Sequence, residues 1–167
     1  MRFYVKRFDG DKWKRGVVFI EEIVPKMMIT LVANTVYNEN DRTLKMDREW
    51  IASDEDLSVS YKWKVNKKWS TINVIADKNT SVIEKDSETE FITEHYWGYA
   101  KRRSDSSNEY EVTHPRWDKH EVKDYIVDVD FEATYGKEFA FLKDEKPSSV
   151  MLAAGSQITV ESKKVIK

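Results

Sequence analysis

His95, His114 and His120 are the only imidazoles in the chain, and cysteine is absent. Any metal or general-base chemistry would therefore have to be assembled from these three residues and nearby carboxylates. No two of them stand at the i, i+4 spacing that places a ligand pair on one helix face. His114 and His120 could meet Glu111 or Asp118 in space, although hydrogen-bonded surface histidines are the commoner outcome of such spacing. Without cysteine there are no disulfides, thiolate ligands or cysteine nucleophiles. The nucleophile elbow, the P-loop and the dinucleotide glycine motif are also missing from the sequence. No metal and no cofactor is expected.

Two further stretches bring chemically useful residues together. Trp97-Gly98-Tyr99 followed by Lys101-Arg102-Arg103 mixes aromatic and basic side chains, a combination that can stack bases on an exposed sheet. Its alternative is an aromatic core face beside a solvated charged turn. Thr113-His114-Pro115-Arg116-Trp117 carries a proline that breaks a strand and re-aims its neighbours. That kink can close a corner of the fold, or it can line a pocket with His114 and with an arginine suited to a carboxylate.

The elements that must position these residues are mostly strands. Arg2 to Arg7 and Lys14 to Ile20 flank the turn signal Asp9-Gly10-Asp11 and predict a hairpin. After Pro25, the spacing of Met28, Leu31, Val32 and Val36 predicts a helix opened by the proline and ending near Asn38 to Asn40. Leu57 to Val65 alternates without a break, turns at Asn66-Lys67 and returns over Trp69 to Ala76. The apolar phase changes between Thr71 and Ile72 on that return, which predicts a bulge. Ser87 to Glu90 is a capping-box pattern before a short helix to about His95. Tyr96 to Arg103 and Asn108 to Thr113 predict a hairpin around Ser104 to Ser107, and Lys119 to Val127 a further strand. A brief helix over Asp128 to Tyr135 should close at Gly136. Ser148 to Ala153 and Gln157 to Val165 predict the last strands. Ala52 to Asp56 and Asp77 to Glu88 are expected as surface connections.

Composition narrows the class. Across 167 residues, 28 Lys and Arg stand against 30 Asp and Glu for a net charge of −2, which disfavours nucleic acid as a partner. With 40% hydrophobic and 13% aromatic residues there is material for one core, so a single domain over 1–167 is expected. The N-terminus is charged at once, and no run reaches the roughly 18 apolar residues of a membrane span. A cytoplasmic protein without a membrane partner is the plain expectation. The fold class is mainly β, of α+β type, with two or three short helices.

Several segments, in order, resemble the YqjF-like family, which is related in fold to acetoacetate decarboxylase. They include Arg2-Phe3-Tyr4-Val5, Arg15 to Ile20 with Ile23-Val24-Pro25, Ala33 to Glu39, and Thr43 to Met46. Further on they include Phe91 to Trp97, Glu111 to Trp117 and Ala154-Gly155-Ser156. The resemblance implies a strongly curved antiparallel sheet closing into a cone or barrel around a pocket, with helices outside. It also implies that the family's opening segment is missing before Met1, leaving an open sheet edge where a second copy could pair. Acetoacetate decarboxylases use a Schiff-base lysine beside a second cation. The matching stretch here reads Asn40-Asp41-Arg42-Thr43-Leu44-Lys45, which leaves Lys45 as the nearby amine. The resemblance thus implies binding of a small anionic or carbonyl-bearing molecule. Arg2, Arg15, Arg42 and Arg116 are the candidate anion partners, and Tyr4, Glu94, Tyr96 and His114 would line the pocket. The alternatives are a Schiff-base enzyme with Lys45 as nucleophile and Glu94 as acid or base, and a non-catalytic chain that associates through its open edge.

Overall fold

The computed structural model describes residues 1–103 and 105–167. Arg2–Phe8 (β1) and Trp13–Phe19 (β2) form the expected hairpin, in register from Arg2 opposite Phe19 to Phe8 opposite Trp13. Asp9 ties its turn, accepting from the backbone N–H groups of Asp11 and Lys12, as a short acidic side chain can. Glu22–Val24 (β3) leads to a helix over Met27–Val32 (α1), which continues as a π-helical turn over Ala33–Tyr37. Pro25 lies before the N-cap residue Lys26 and not at the first helical position. Asn38 ends the helical segment at φ 63, a left-handed conformation that asparagine tolerates. Asp41–Thr43 (β4) then pairs in parallel with β3.

Met46–Ala52 (β5), Asp56–Val65 (β6) and Lys68–Val82 (β7) follow. The turn between β6 and β7 has both Asn66 and Lys67 at positive φ, 46 and 68 degrees, which matches the right-handed twist of the strands it joins. Glu88–Thr93 (α2) precedes Trp97–Arg103 (β8) and Ser106–Thr113 (β9), the predicted second hairpin. Ser104, part of its predicted turn, lies outside the described residues. Asp118–Asp128 (β10) is followed by Phe131–Tyr135 (α3), capped by Asp130 accepting from Ala133 N–H. Lys137–Lys143 forms a 3-10 turn, and Leu152–Ala153 (β11), Thr159–Val160 (β12) and Lys164–Ile166 (β13) complete the order.

The chain divides into two compact units. The first comprises residues 1–43, 90–116 and 156–167. Its sheet runs β1-β2-β8-β9-β12, with β13 also on β9 and β1 outermost. The second comprises residues 44–89 and 117–155, with a sheet in the order β11-β10-β7-β6-β5. In neither sheet does the last strand pair back to the first among the described residues, so strand pairing does not close the cone or barrel implied above. Nor is pairing wholly antiparallel: β2–β8 and β3–β4 are parallel.

Burial explains the register of the second unit. Leu57, Val59, Trp63 and Val65 from β6 are buried with Val74 and Ala76 from β7, each large side chain contributing about 1.5–3 kcal/mol. The predicted bulge at Thr71 and Ile72 is absent, since β6 and β7 pair without a shift from Asp56 opposite Asp77 to Val65 opposite Lys68. The apolar phase changes because Ser70 takes an inward place, where its Oγ accepts from Asp130 N–H, while Trp69 is exposed. The irregularities lie on the other side of β7, where β10 shifts register around Val122. Two predicted connections are also strand: β7 runs on to Val82, and β5 reaches Ala52. Among the described residues no helix is long and apolar enough to cross a membrane.

Candidate functional site

The first unit holds a partly open cavity of about 560 Å³. One wall is the helical segment, through Met28, Ile29, Val32, Ala33 and Tyr37; Val24, Ile158 and Val160 add further apolar surface. Against these stand Glu22 from β3, Glu39, Asp41 from β4 and Tyr110 from β9. Glu22 is directly paired with Asp41 across the parallel strands, and Glu39 lies two residues before Asp41. That puts three carboxyls in one wall.

Local hydrogen bonds fix this wall. The side-chain amide of Asn34 donates to Asp41 O at 2.9 Å and accepts from Asp41 N–H at 2.8 Å, clasping β4 to the π-helical turn. Asn40 Nδ2 donates to Ile20 O, and the hydroxyls of Thr30 and Thr43 meet at 2.6 Å. From the sheet, Tyr110 donates its hydroxyl to Glu39 Oε1 at 2.5 Å and packs edge-on against Tyr37. Asn108 donates to Tyr37 O at 2.7 Å. Gly98 makes room for Tyr110, because a Cβ there would come within 2.1 Å of the ring.

The electrostatics follow from burial. Glu39 is pushed up to about 7, chiefly by burial, with Asp41 and Glu22 adding to the shift and the Tyr110 hydrogen bond opposing it. Burial also raises Glu22, with Asp41 adding and the N-terminal ammonium and Arg2 opposing. Asp41 is raised by burial alone, and its Oδ1 is buried without a hydrogen-bond partner. Tyr110 is held well above the usual phenol range by burial and by its bond to Glu39. An apolar cavity with a few convergent polar groups and displaced titrations has the general form of a ligand site.

The residues predicted from sequence gather elsewhere. Arg2, Tyr4 and Arg15 share one face of the β1–β2 hairpin. The two arginines donate to the backbone carbonyls of Ile92 and Phe91 at the end of α2, where cations are favoured. Tyr4 packs on Phe91 and on His95, whose ring is buried and driven down to about 4 by burial and by the charges of Arg15 and Arg2. A second group forms near the kink. Tyr96 donates to Glu94 Oε2 and lies 5.0 Å from the ring of His114, while Arg116 pairs with Glu90 at 2.5 Å. Tyr96 is pushed up to about 12, by burial first and then by Glu94. Arg42 is paired with Glu21 at 3.1 Å.

Lys45 does not join any of these groups. It belongs to the second unit, is exposed, and has its ammonium 5.9 Å from the Trp69 ring centre. None of the predicted arginines lines the cavity. The base-stacking reading of Trp97 and Tyr99 also yields to packing: Tyr99 is buried, and Trp97 lies beneath the Lys14 ammonium at 3.7 Å. His114 and His120 bond separately to the carbonyls of Pro115 and Asp77, and no described cluster of three or more His, Asp and Glu could hold a metal.

Sequence reasoning missed Glu22, Glu39, Asp41 and Tyr110. The available signal was modest: Glu22 stands before the uncharged helical segment, and Glu39 and Asp41 stand just after it.

No curated protein matches the chain, and no solved structure does. A family model matches residues 1–157, nearly the whole chain, and agrees with the resemblance to YqjF-like proteins. The chain belongs to the DUF2071 family, described as an uncharacterized conserved protein (COG2071).

Proposed function

We propose that the first unit is a receptor for a small, mainly apolar molecule, seated in the cavity between the helical segment and β9. The supporting observation is a cavity of about 560 Å³ with apolar walls whose lining also includes the hydrogen-bonded Glu39–Tyr110 pair and Asp41. Hydrocarbon contact would supply affinity, and the polar groups would orient the molecule. An anionic occupant fits poorly. No Lys or Arg lines this space, and the four predicted arginines already have protein partners. A carbonyl-bearing occupant would suit Glu39 in its protonated form, since Glu39 titrates at about 7.

Binding is favoured over Schiff-base conversion. An amine nucleophile works when desolvation or a neighbouring cation lowers its pKa, and Lys45 is exposed. Thermal unfolding with a series of short alkyl alcohols tests the reading. The cavity should raise the midpoint in the presence of hexanol, and Ala33→Phe, which fills the apolar wall, should abolish the rise. No shift with any alcohol, or an unchanged shift in Ala33→Phe, would remove the cavity as the site.

A further inference from the structure

The helical segment of the first unit turns its polar side inward and its apolar side outward. Along Met27–Val32 and Ala33–Tyr37 the less exposed positions are Thr30, Ala33, Asn34 and Tyr37, an i, i+3, i+4, i+7 stripe. From it Thr30 and Asn34 bond to Thr43 and Asp41, and Tyr37 packs on Tyr110. The large aliphatic side chains occupy the rest of the surface. Met27 is 75% exposed, Met28 67% and Leu31 53%, and Ile29, Val32 and Val36 are exposed as well. A helix resting on the core of a water-soluble protein does the reverse. Met27, Leu31 and Val36 lie outside the cavity lining, so a cavity occupant would leave them uncovered. Cations mark both ends of the segment: Lys26 is the N-cap residue, and the Lys163 ammonium donates to Val36 O. Both lysines are exposed, and neither forms an ion pair among the described residues. No charged residue stands from Met27 to Asn38. Two acids adjoin the far end, but Tyr110 engages Glu39, and Glu161 meets Tyr37 through its backbone carbonyl.

We propose that this segment docks on an anionic lipid surface, its aliphatic side chains among the acyl chains and Lys26 and Lys163 on lipid phosphates. Six helical and five π-helical residues span only about 16 Å, so the segment lies along the surface and does not cross it. That no described helix can span a membrane is therefore no objection. A second copy suits the surface less well. Two such segments packed about a two-fold axis would set Lys26 against Lys163, or each lysine against its equivalent, and cations would meet cations.

Flotation of the whole chain with lipid vesicles tests this. Vesicles of equal parts phosphatidylglycerol and phosphatidylcholine should carry the chain with them. Pure phosphatidylcholine should bind it at least about tenfold more weakly, since each lysine near an anionic surface is worth roughly fivefold. Lys26→Gln combined with Lys163→Gln should erase that preference. Leu31→Glu and Met27→Glu set a carboxylate where the acyl chains would sit, and each should cut binding by about tenfold or more. Both positions are exposed, so the thermal midpoint should not move. Should a glutamate variant fail to fold, the comparison of the two vesicles on the unaltered chain decides the matter. No binding to either vesicle overturns the proposal, and so does undiminished binding of folded Leu31→Glu and Met27→Glu. Equal binding to both vesicles overturns the anionic assignment. A chain that ignores vesicles but dimerises, with Leu31→Glu monomeric, assigns the surface to a second copy instead.

Discussion

The hydroxyl of Tyr110 reaches Glu39 Oε1 at 2.5 Å, joining residues 71 positions apart in the chain. It ties the sheet to a carboxyl of the cavity wall, and it depends on Gly98. Any side chain at Gly98 would occupy the space of the Tyr110 ring, with closest approaches of 2.1 to 2.4 Å. Gly98→Ala should therefore turn Tyr110 away from Glu39. Because the Tyr110 bond lowers the Glu39 pKa, its loss should raise that pKa above about 7. Carbon NMR titration of the glutamate carboxyls, with Tyr110→Phe as the direct comparison, reads the shift. A Glu39 titration that stays put in both variants would count against the bond's role.

Glu39 also makes stability fall with pH. Its folded pKa, about 7, lies above the ordinary glutamate value of 4.5, so the folded chain holds a proton that the unfolded chain has released. The contribution is present below about 4.5 and is lost as pH rises through about 7. Since Glu39 is partly exposed, the loss should be only about 1–2 kcal/mol after allowing for solvent screening. Urea unfolding of the wild-type chain and of Glu39→Gln across this window should show the variant gaining relative stability as pH rises. Parallel curves would exclude Glu39 as the cause.

His95 works in the opposite sense. Its folded pKa is about 4, lowered from 6.5, so the unfolded chain takes up a proton first as pH falls. The stability this represents is present above about 6.5 and is lost as pH falls through about 4. His95→Phe keeps an aromatic ring between Tyr4 and Phe91, where the imidazole now lies 4.5 and 4.9 Å from their centroids. The variant should lose less stability than the wild-type chain between these two pH values. Equal acid sensitivity, measured by the same unfolding assay, would contradict this.

Glu109 is the most deeply buried carboxyl of the first unit, 2% exposed, and it is met by Arg7 at 3.1 Å and Lys14 at 2.9 Å. Glu109→Gln keeps the shape and removes the charge, leaving the partly buried Lys14 with Asp9 as its remaining ion-pair partner. The expected cost is about 3 kcal/mol, the scale for breaking one side of a buried pair. Arg7→Met should cost less, since Arg7 is the more exposed cation and Lys14 still neutralises Glu109. Denaturant unfolding of both variants gives the order, and a loss below about 0.5 kcal/mol for Glu109→Gln would show that solvent had taken over the charge.

What the sequence determined by itself was local. Alternation over Leu57 to Val65 required a strand, Asn66-Lys67 required a turn that accepts positive φ, and the spacing after Pro25 required a helical segment ending at Asn38. Each depends on the preferences of adjacent residues, which are written in order along the chain. The ordered segments that resemble YqjF-like proteins likewise pointed to the family that the match over residues 1–157 shows. Tertiary structure alone decided which polar groups meet. Arg2 and Arg15 look like ligand partners in a list of residues, but folding places them on the carbonyls of α2. Glu22, Asp41 and Tyr110 come from three strands with no shared spacing, and only the β3–β4 pairing and the packing of β9 bring them into one cavity. Burial then sets their titration, and burial is a property of the neighbours that folding brings close, which no local pattern records.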